Sequence, residues 1–213
     1  MKRGKFISFE GGEGRGKSTQ AQELATALRR TGLTVDVTRE PGGTPGSEAI
    51  RTLLLDPPGE GWTIAAEALL FAAARSDHVA KRIEPALEQG HWVISDRFLD
   101  SSRAYQGVAG RMGDDAIRML HGIGSADLLP DLTILLETEE ETAAGRLRDR
   151  DGGQADAIGG RDAAYHAKVA SAFREFATRE PGRFEIISSE GTIPQVHDRV
   201  WQSILPLLDE DRR

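Results

Sequence analysis

Phe6-Ile7-Ser8-Phe9-Glu10-Gly11-Gly12-Glu13-Gly14-Arg15-Gly16-Lys17-Ser18-Thr19 joins an apolar run to a helical pattern through a glycine-rich turn. The stretch from Gly11 matches G-x-x-x-x-G-K-[ST], placed between a buried strand and a helix. Gly11 and Gly16 permit backbone conformations that turn several N–H groups inward around phosphate oxygens. The helix starting at Lys17 adds the positive end of its dipole. Lys17 supplies a full charge to the β- and γ-phosphates, and the Ser18 hydroxyl is a Mg²⁺ ligand. Gly11, Gly12, Glu13, Gly14, Arg15, Gly16, Lys17, Ser18 and Thr19 are therefore the expected nucleoside triphosphate-binding loop. The bland alternative is a glycine turn with no ligand. Even the functional reading says only that a nucleoside triphosphate binds.

Outward from this loop, the 213 residues suit one α/β domain with a full core. There are 27 basic and 34 acidic side chains, a formal net charge of −7, which argues against general electrostatic binding of nucleic acid. A few local arginines still suffice for a small anionic ligand. The chain has no cysteine, which removes disulfides, thiolate metal sites and cysteine nucleophiles. It also has no asparagine, which excludes the Asn-Lys-x-Asp guanine reader. The longest apolar run, residues 68–74, falls far short of the ~20 residues of a membrane span. Glu10 interrupts any signal-like region behind Lys2, Arg3 and Lys5, so a cytoplasmic location is expected.

Short apolar runs alternate with longer helical patterns, the signature of βαβ units on a parallel sheet. The expected strands are residues 5–9, 34–38, 92–95, 132–136 and 184–187. The expected helices are 17–31, 49–55, 64–88, 115–120, 139–148, 163–177 and 194–208. Tyr165, Val169, Phe173 and Phe176 fall on one helical stripe, which core packing explains without any site. Residues 151–160, rich in Gly, Asp and Ala, read equally as a surface loop or a lid.

The third strand, Val93-Ile94-Ser95-Asp96, ends in a carboxylate that can hold Mg²⁺ beside the phosphate loop, directly or through water. Arg97 follows, positioned to reach a phosphate from the other side. The alternative for Asp96 is a turn or cap residue.

Asp96-Arg97-Phe98-Leu99-Asp100-Ser101-Ser102-Arg103-Ala104-Tyr105-Gln106-Gly107 resembles the signature segment of thymidylate kinases. Arg39-Glu40-Pro41-Gly42-Gly43-Thr44-Pro45-Gly46, with Ile50-Arg51 and Leu53-Leu54-Leu55 behind it, resembles that family's second motif. The loop with its embedded Glu13, and Leu70-Phe71-Ala72-Ala73-Ala74-Arg75, complete a similarity that spans nearly the whole chain in order. The resemblance implies a P-loop nucleoside monophosphate kinase fold: a five-stranded parallel sheet, helices on both faces, and a lid near 146–162. It implies transfer of the γ-phosphoryl of ATP to dTMP with Mg²⁺, in one domain over 1–213, and a homodimer.

It also implies site roles. Arg39, Arg51 and Arg97 would hold the acceptor phosphate, a task suited to the planar guanidinium fork. Phe71 and Arg75, one helical turn apart, would stack the base and bond its carbonyl. Pro41 lies in the bend beside them and could be a turn residue only. Ser101, Ser102 and Gln106 are candidate partners for base or phosphate, though any could instead cap or pack a helix. Tyr105 would lie under the sugar and Glu13 toward a sugar hydroxyl. Phosphoryl transfer onto an anionic acceptor needs no strong general base, so charge stabilisation falls to Lys17, Mg²⁺ and arginines.

In the fungal and animal relatives an arginine directly follows the loop carboxylate. Here that position is Gly14, and Arg15 is displaced by one, which resembles the bacterial pattern with a lid-borne charge. Arg146 matches the adenine-stacking position, leaving Arg150 first and Arg148 second for the phosphates, with Arg161 beyond the Gly-rich segment. Asp156 is followed by Ala157 where many relatives carry Asp-Arg. Another P-loop kinase, or a nucleotide switch without turnover, remains the rival reading of the residues. A panel of acceptor monophosphates discriminates them.

Overall fold

The computed structural model describes residues 2–151 and 157–211, with side chains from 2 to 146 and from 157 to 210. Five strands, β1 (Phe6–Glu10), β2 (Val35–Arg39), β3 (Trp92–Asp96), β4 (Leu132–Glu137) and β5 (Phe184–Ser188), form one parallel sheet in the order β2-β3-β1-β4-β5. β1 and nearly all of β3 and β4 are buried, which is why their sequences lack polar alternation. Ile7 and Phe9 pack with Leu24, Leu28, Val200 and Ile204 on one face. Phe6 turns to the other face, against Ile83, Leu87 and Phe98. A third cluster joins Leu135 and Tyr105 to Val169, Phe173 and Phe176, the stripe read from periodicity.

The helices are α1 (Lys17–Arg30), α2 (Pro45–Leu55), α3 (Ile64–His78), α4 (Glu84–Glu88), α5 (Leu99–Ser102), α6 (Asp114–Ser125), α7 (Glu140–Asp151), α8 (Ala163–Arg179) and α9 (Ile193–Asp211). Several depart from expectation; α6, expected over 115–120, runs on to Ser125. The long helix expected over 64–88 is continuous, but a π-helical turn at Val79–Ile83 separates α3 from α4. Pro85 explains it: a proline lacks the N–H and crowds the carbonyl one turn back, and the wider turn relieves both. Helix α2 starts earlier than the apolar pattern suggests, because the Thr44 side chain accepts from Ser47 N and Pro45 fills the first turn. The segment after Arg97 folds as α5 and a second π-helical turn, Arg103–Ala109, in a region where no helix is expected from the sequence.

Register brings chemistry to one edge. Phe9 pairs with Asp96, Asp96 with Arg39, and Glu10 with Leu135. The connection after β1 runs to β2 at one edge of the sheet and the connection after its neighbour β3 runs to β4 on the opposite side, so the two leave the carboxyl ends of adjacent strands in opposite directions. That is the crevice where open α/β sheets bind ligands.

Candidate active site

The phosphate loop crosses this crevice. Gly11 adopts φ +127°, and a Cβ there would lie 2.5 Å from the Leu136 carbonyl oxygen. Only glycine fits so close to β4. Lys17 Nζ donates to the Gly12 carbonyl at 2.7 Å, folding its charge back over the loop. Burial, and then the Arg97 charge, lower its pKa from 10.5 to about 8. Ser18 Oγ donates to Asp96 Oδ2, so the two oxygens expected to serve a cation are already in contact.

Arg97 is the most constrained side chain of the site. Its φ is +70°, a left-handed value that costs a non-glycine residue about 1 kcal/mol or more. Its N–H donates to the Phe9 carbonyl at 2.9 Å, and Ser95 Oγ donates to its carbonyl at 2.7 Å. The guanidinium bonds Gly11 O at 3.1 Å and Ser101 Oγ at 3.0 Å, pairs with Glu13, and stands 5.4 Å from the Tyr105 ring centre.

Glu10 holds the same turn from below and had no assigned role from sequence. Its Oε1 accepts from Phe98 N at 2.8 Å and Ser101 N at 3.2 Å, and its Oε2 accepts from Ser101 Oγ at 2.6 Å. Burial, with the nearby Asp100 charge, raises its pKa to about 7. A carboxylate ending an otherwise apolar strand was the available signal.

A cavity of about 750 Å³ runs from the phosphate loop past Arg97 to Phe71, Ser102 and Gln106. Glu13, Gly14, Arg15, Gly16, Lys17, Ser18, Thr19, Asp96, Ser101 and Tyr105 line it too, as do Arg39, Pro41 and Arg51 at one side and Arg146 at the other. Arg51 donates to the Pro41 carbonyl at 2.8 Å, and the exposed Arg39 pairs with Glu48 at 3.0 Å. Arg146 donates to the Ser189 carbonyl at 2.9 Å. Basic side chains thus converge on one cavity of an acidic protein.

Two placements differ from a simple lining set. Arg75 is buried behind the wall, donating to Glu40 Oε2 at 2.7 Å and to Ser102 Oγ at 2.7 Å. Arg15 lies back along the loop, its Nε 2.9 Å from where a Cβ of Gly12 would be, and donates to the Thr138 carbonyl and to Glu140, each at 2.5 Å. The side chains of Arg148 and Arg150 lie outside the described residues, though both positions fall within α7.

Residues 9–200 match the family model described as thymidylate kinase. The chain belongs to the thymidylate kinase family. The thymidylate kinase of Rhizorhabdus wittichii is 53% identical over 205 residues, covering 96% of this chain and 99% of the relative. That of Rhodopseudomonas palustris strain TIE-1 is 46% identical over 215 residues, covering 99% and 93%. The crystal structure of thymidylate kinase from Ehrlichia chaffeensis superposes with a TM-score of 0.77 at 31% identity, covering 95% of this chain and 99% of that one.

For this thymidylate kinase family member, the second motif carries more than a bend. Glu40 bonds Arg75 with one oxygen, and its other lies 3.0 Å from His78 Nδ1. His78 Nε2 lies 2.6 Å from Thr38 Oγ1. Gly43 is glycine because a Cβ there would lie 2.5 Å from both His78 Nε2 and Thr38 Oγ1. No local pattern marks this role of Glu40, because its partner His78 is 38 residues away.

Proposed function

We propose that this enzyme transfers the γ-phosphoryl group of ATP to the 5′-phosphate of dTMP, giving dTDP and ADP, as its family membership implies. The observation that carries the residue assignments is the shared cavity: one end is the phosphate loop, the other is walled by Phe71, Ser102 and Gln106, and Arg97 stands between.

In this reading Gly11 to Thr19 cradle the ATP phosphates and Arg146 lies against the adenine. Arg39, Arg51 and Arg97 hold the acceptor phosphate, with Pro41 shaping their wall. Phe71 stacks the base, Arg75 reaches its carbonyl side beside Ser102, and Gln106 and Ser101 complete the pocket. Tyr105 and Glu13 border the sugar. Lys17 and Arg97 approach the transferring group from opposite sides, and in-line placement with charge neutralisation supplies the rate. Arg150, or Arg148 after it, brings the remaining cation from a lid near 146–162.

Ser18 and Asp96 fit Mg²⁺. Both are hard oxygen donors and already in contact, and among the described residues no cluster of three His, Asp or Glu competes as an all-protein cage. Magnesium held by one or two protein oxygens takes its other ligands from phosphates and water. When bound, it neutralises charge on the β- and γ-oxygens.

The whole chain, 1–213, acts as one kinase domain. A homodimer is supported by α3 and α6, whose neighbouring surfaces expose Leu69 (57%), Met119 (68%) and Ile123 (81%). Among the described residues no helix is long and apolar enough to cross a membrane.

The test is ADP release with ATP, Mg²⁺ and a panel of nucleoside monophosphates. dTMP is expected to give the highest kcat/KM; a higher value for another monophosphate would overturn the substrate assignment.

A further inference from the structure

Gln106 lines the cavity yet is only 1% exposed, and its Oε1 has no hydrogen-bond partner among the described residues. Its Nε2 donates to Glu67 Oε1 at 2.7 Å. The other oxygen of Glu67 accepts from Arg161 NH2 at 2.5 Å. Arg161 is anchored in turn: its guanidinium bonds the Tyr165 hydroxyl and lies 4.6 Å from that ring, and Tyr165 donates to the Tyr105 carbonyl at 2.6 Å. Glu67 is itself buried, on α3 one turn before Phe71.

An amide side chain can face either way, and its surroundings decide which. A carboxylate ion-paired to a guanidinium has no proton to give, so it accepts only. Gln106 must therefore present its NH₂ to Glu67, which leaves its carbonyl oxygen as a buried acceptor that demands a donor. Pyrimidine bases differ at this point: N3 of thymine carries a hydrogen, and N3 of cytosine is a lone pair.

We infer that Glu67, locked by Arg161, is a specificity-determining positioning residue that fixes the Gln106 amide as an acceptor and so selects a base with a donor at N3. The inference rests on the reading of the Phe71–Gln106 end as the base pocket. Neither Glu67 nor Arg161 needs to touch the nucleotide. Their effect passes through the orientation of one amide.

The test is Glu67→Gln, which keeps the shape. Arg161 then claims the one remaining carbonyl oxygen, so the new NH₂ faces Gln106 and turns its amide over, presenting a donor to the base. The readout is the kcat/KM ratio of dTMP to 5-methyl-dCMP, two acceptors that differ only at N3 and C4. The ratio is expected to fall about tenfold or more, with the ATP KM little changed. A purely structural role would lower both kcat/KM values together and leave the ratio alone, which overturns the inference. If E67Q does not fold, the double variant E67Q/R161Q removes the guanidinium left without its carboxylate; there a fall of about threefold is expected, and no fall overturns the inference. A wild-type enzyme that does not prefer dTMP defeats the pocket reading itself. A wild-type preference with an unchanged variant ratio defeats only the role of Glu67.

Discussion

Arg75 Nε donates to Glu40 Oε2 at 2.7 Å, with the two side chains 3% and 4% exposed. The guanidinium behind the Ser102 wall is thus one half of a buried ion pair. Burial alone would raise the Glu40 carboxyl, but the Arg75 charge and the His78 hydrogen bond outweigh it and hold the pKa below its ordinary value. Breaking a buried pair on one side is costly because the other charge is left desolvated. Glu40→Gln is therefore expected to lower the unfolding free energy by about 3 kcal/mol in a denaturant titration at pH 7. It should also raise the dTMP KM more than the ATP KM. Equal rises in both would show that the pair holds the fold without aiming Arg75.

The depressed Lys17 pKa makes ATP binding proton-linked. In the free chain this amine titrates near 8, against an ordinary 10.5, so between those values it is mostly neutral. A bound polyphosphate stabilises the charged form and raises the pKa again. The sign follows: binding takes up protons, about one per site at pH 9 and none from this group at pH 6.5. Calorimetry in buffers of different ionisation heat reads the uptake directly. Lys17→Met should abolish it, and an uptake that survives the substitution belongs to another group.

Arg15 and Arg150 are expected to differ sharply. Arg15 lines the cavity along the loop, but its guanidinium is committed to Thr138 and Glu140, at the junction of β4 and α7. Arg15→Ala should slow single-turnover transfer about tenfold or less. Arg150→Ala should lower kcat on the order of 10³-fold with little change in dTMP KM, the scale of an arginine finger. The reverse order would return the catalytic cation to the loop.

Tyr105 sits at the cavity wall with the Arg97 guanidinium over its ring, packed from behind by Tyr165. A ring at C2′ leaves no space for a 2′-hydroxyl. Tyr105→Ala should narrow the preference for dTMP over its ribonucleotide, while Tyr105→Phe keeps it. Ala and Phe variants with the same preference would return Tyr105 to the core.

The strands, their parallel βαβ arrangement and the glycine-rich loop were legible because each rests on local pattern; the strand order was not. An apolar run of about five residues, a glycine at a forced turn and a lysine at a helix start carry their chemistry in a few positions. Phe71 and Arg75 were legible as a pair by helical spacing, but not that one lines the cavity and the other lies behind it. The helix and π-turn from Leu99 to Ala109 could not be read from local pattern. Their geometry is imposed by Glu10, which clamps Phe98 and Ser101 across 88 and 91 residues of sequence.

The sequence by itself therefore determined the fold class and the family, since short motifs encode them. The tertiary structure alone decided the buried partners: Glu40 with His78, Glu10 under Arg97, and Glu67 between Gln106 and Arg161. Each joins residues distant in the chain, and a buried polar group is stable only when its partner arrives from elsewhere in the fold. No periodicity records where that partner comes from.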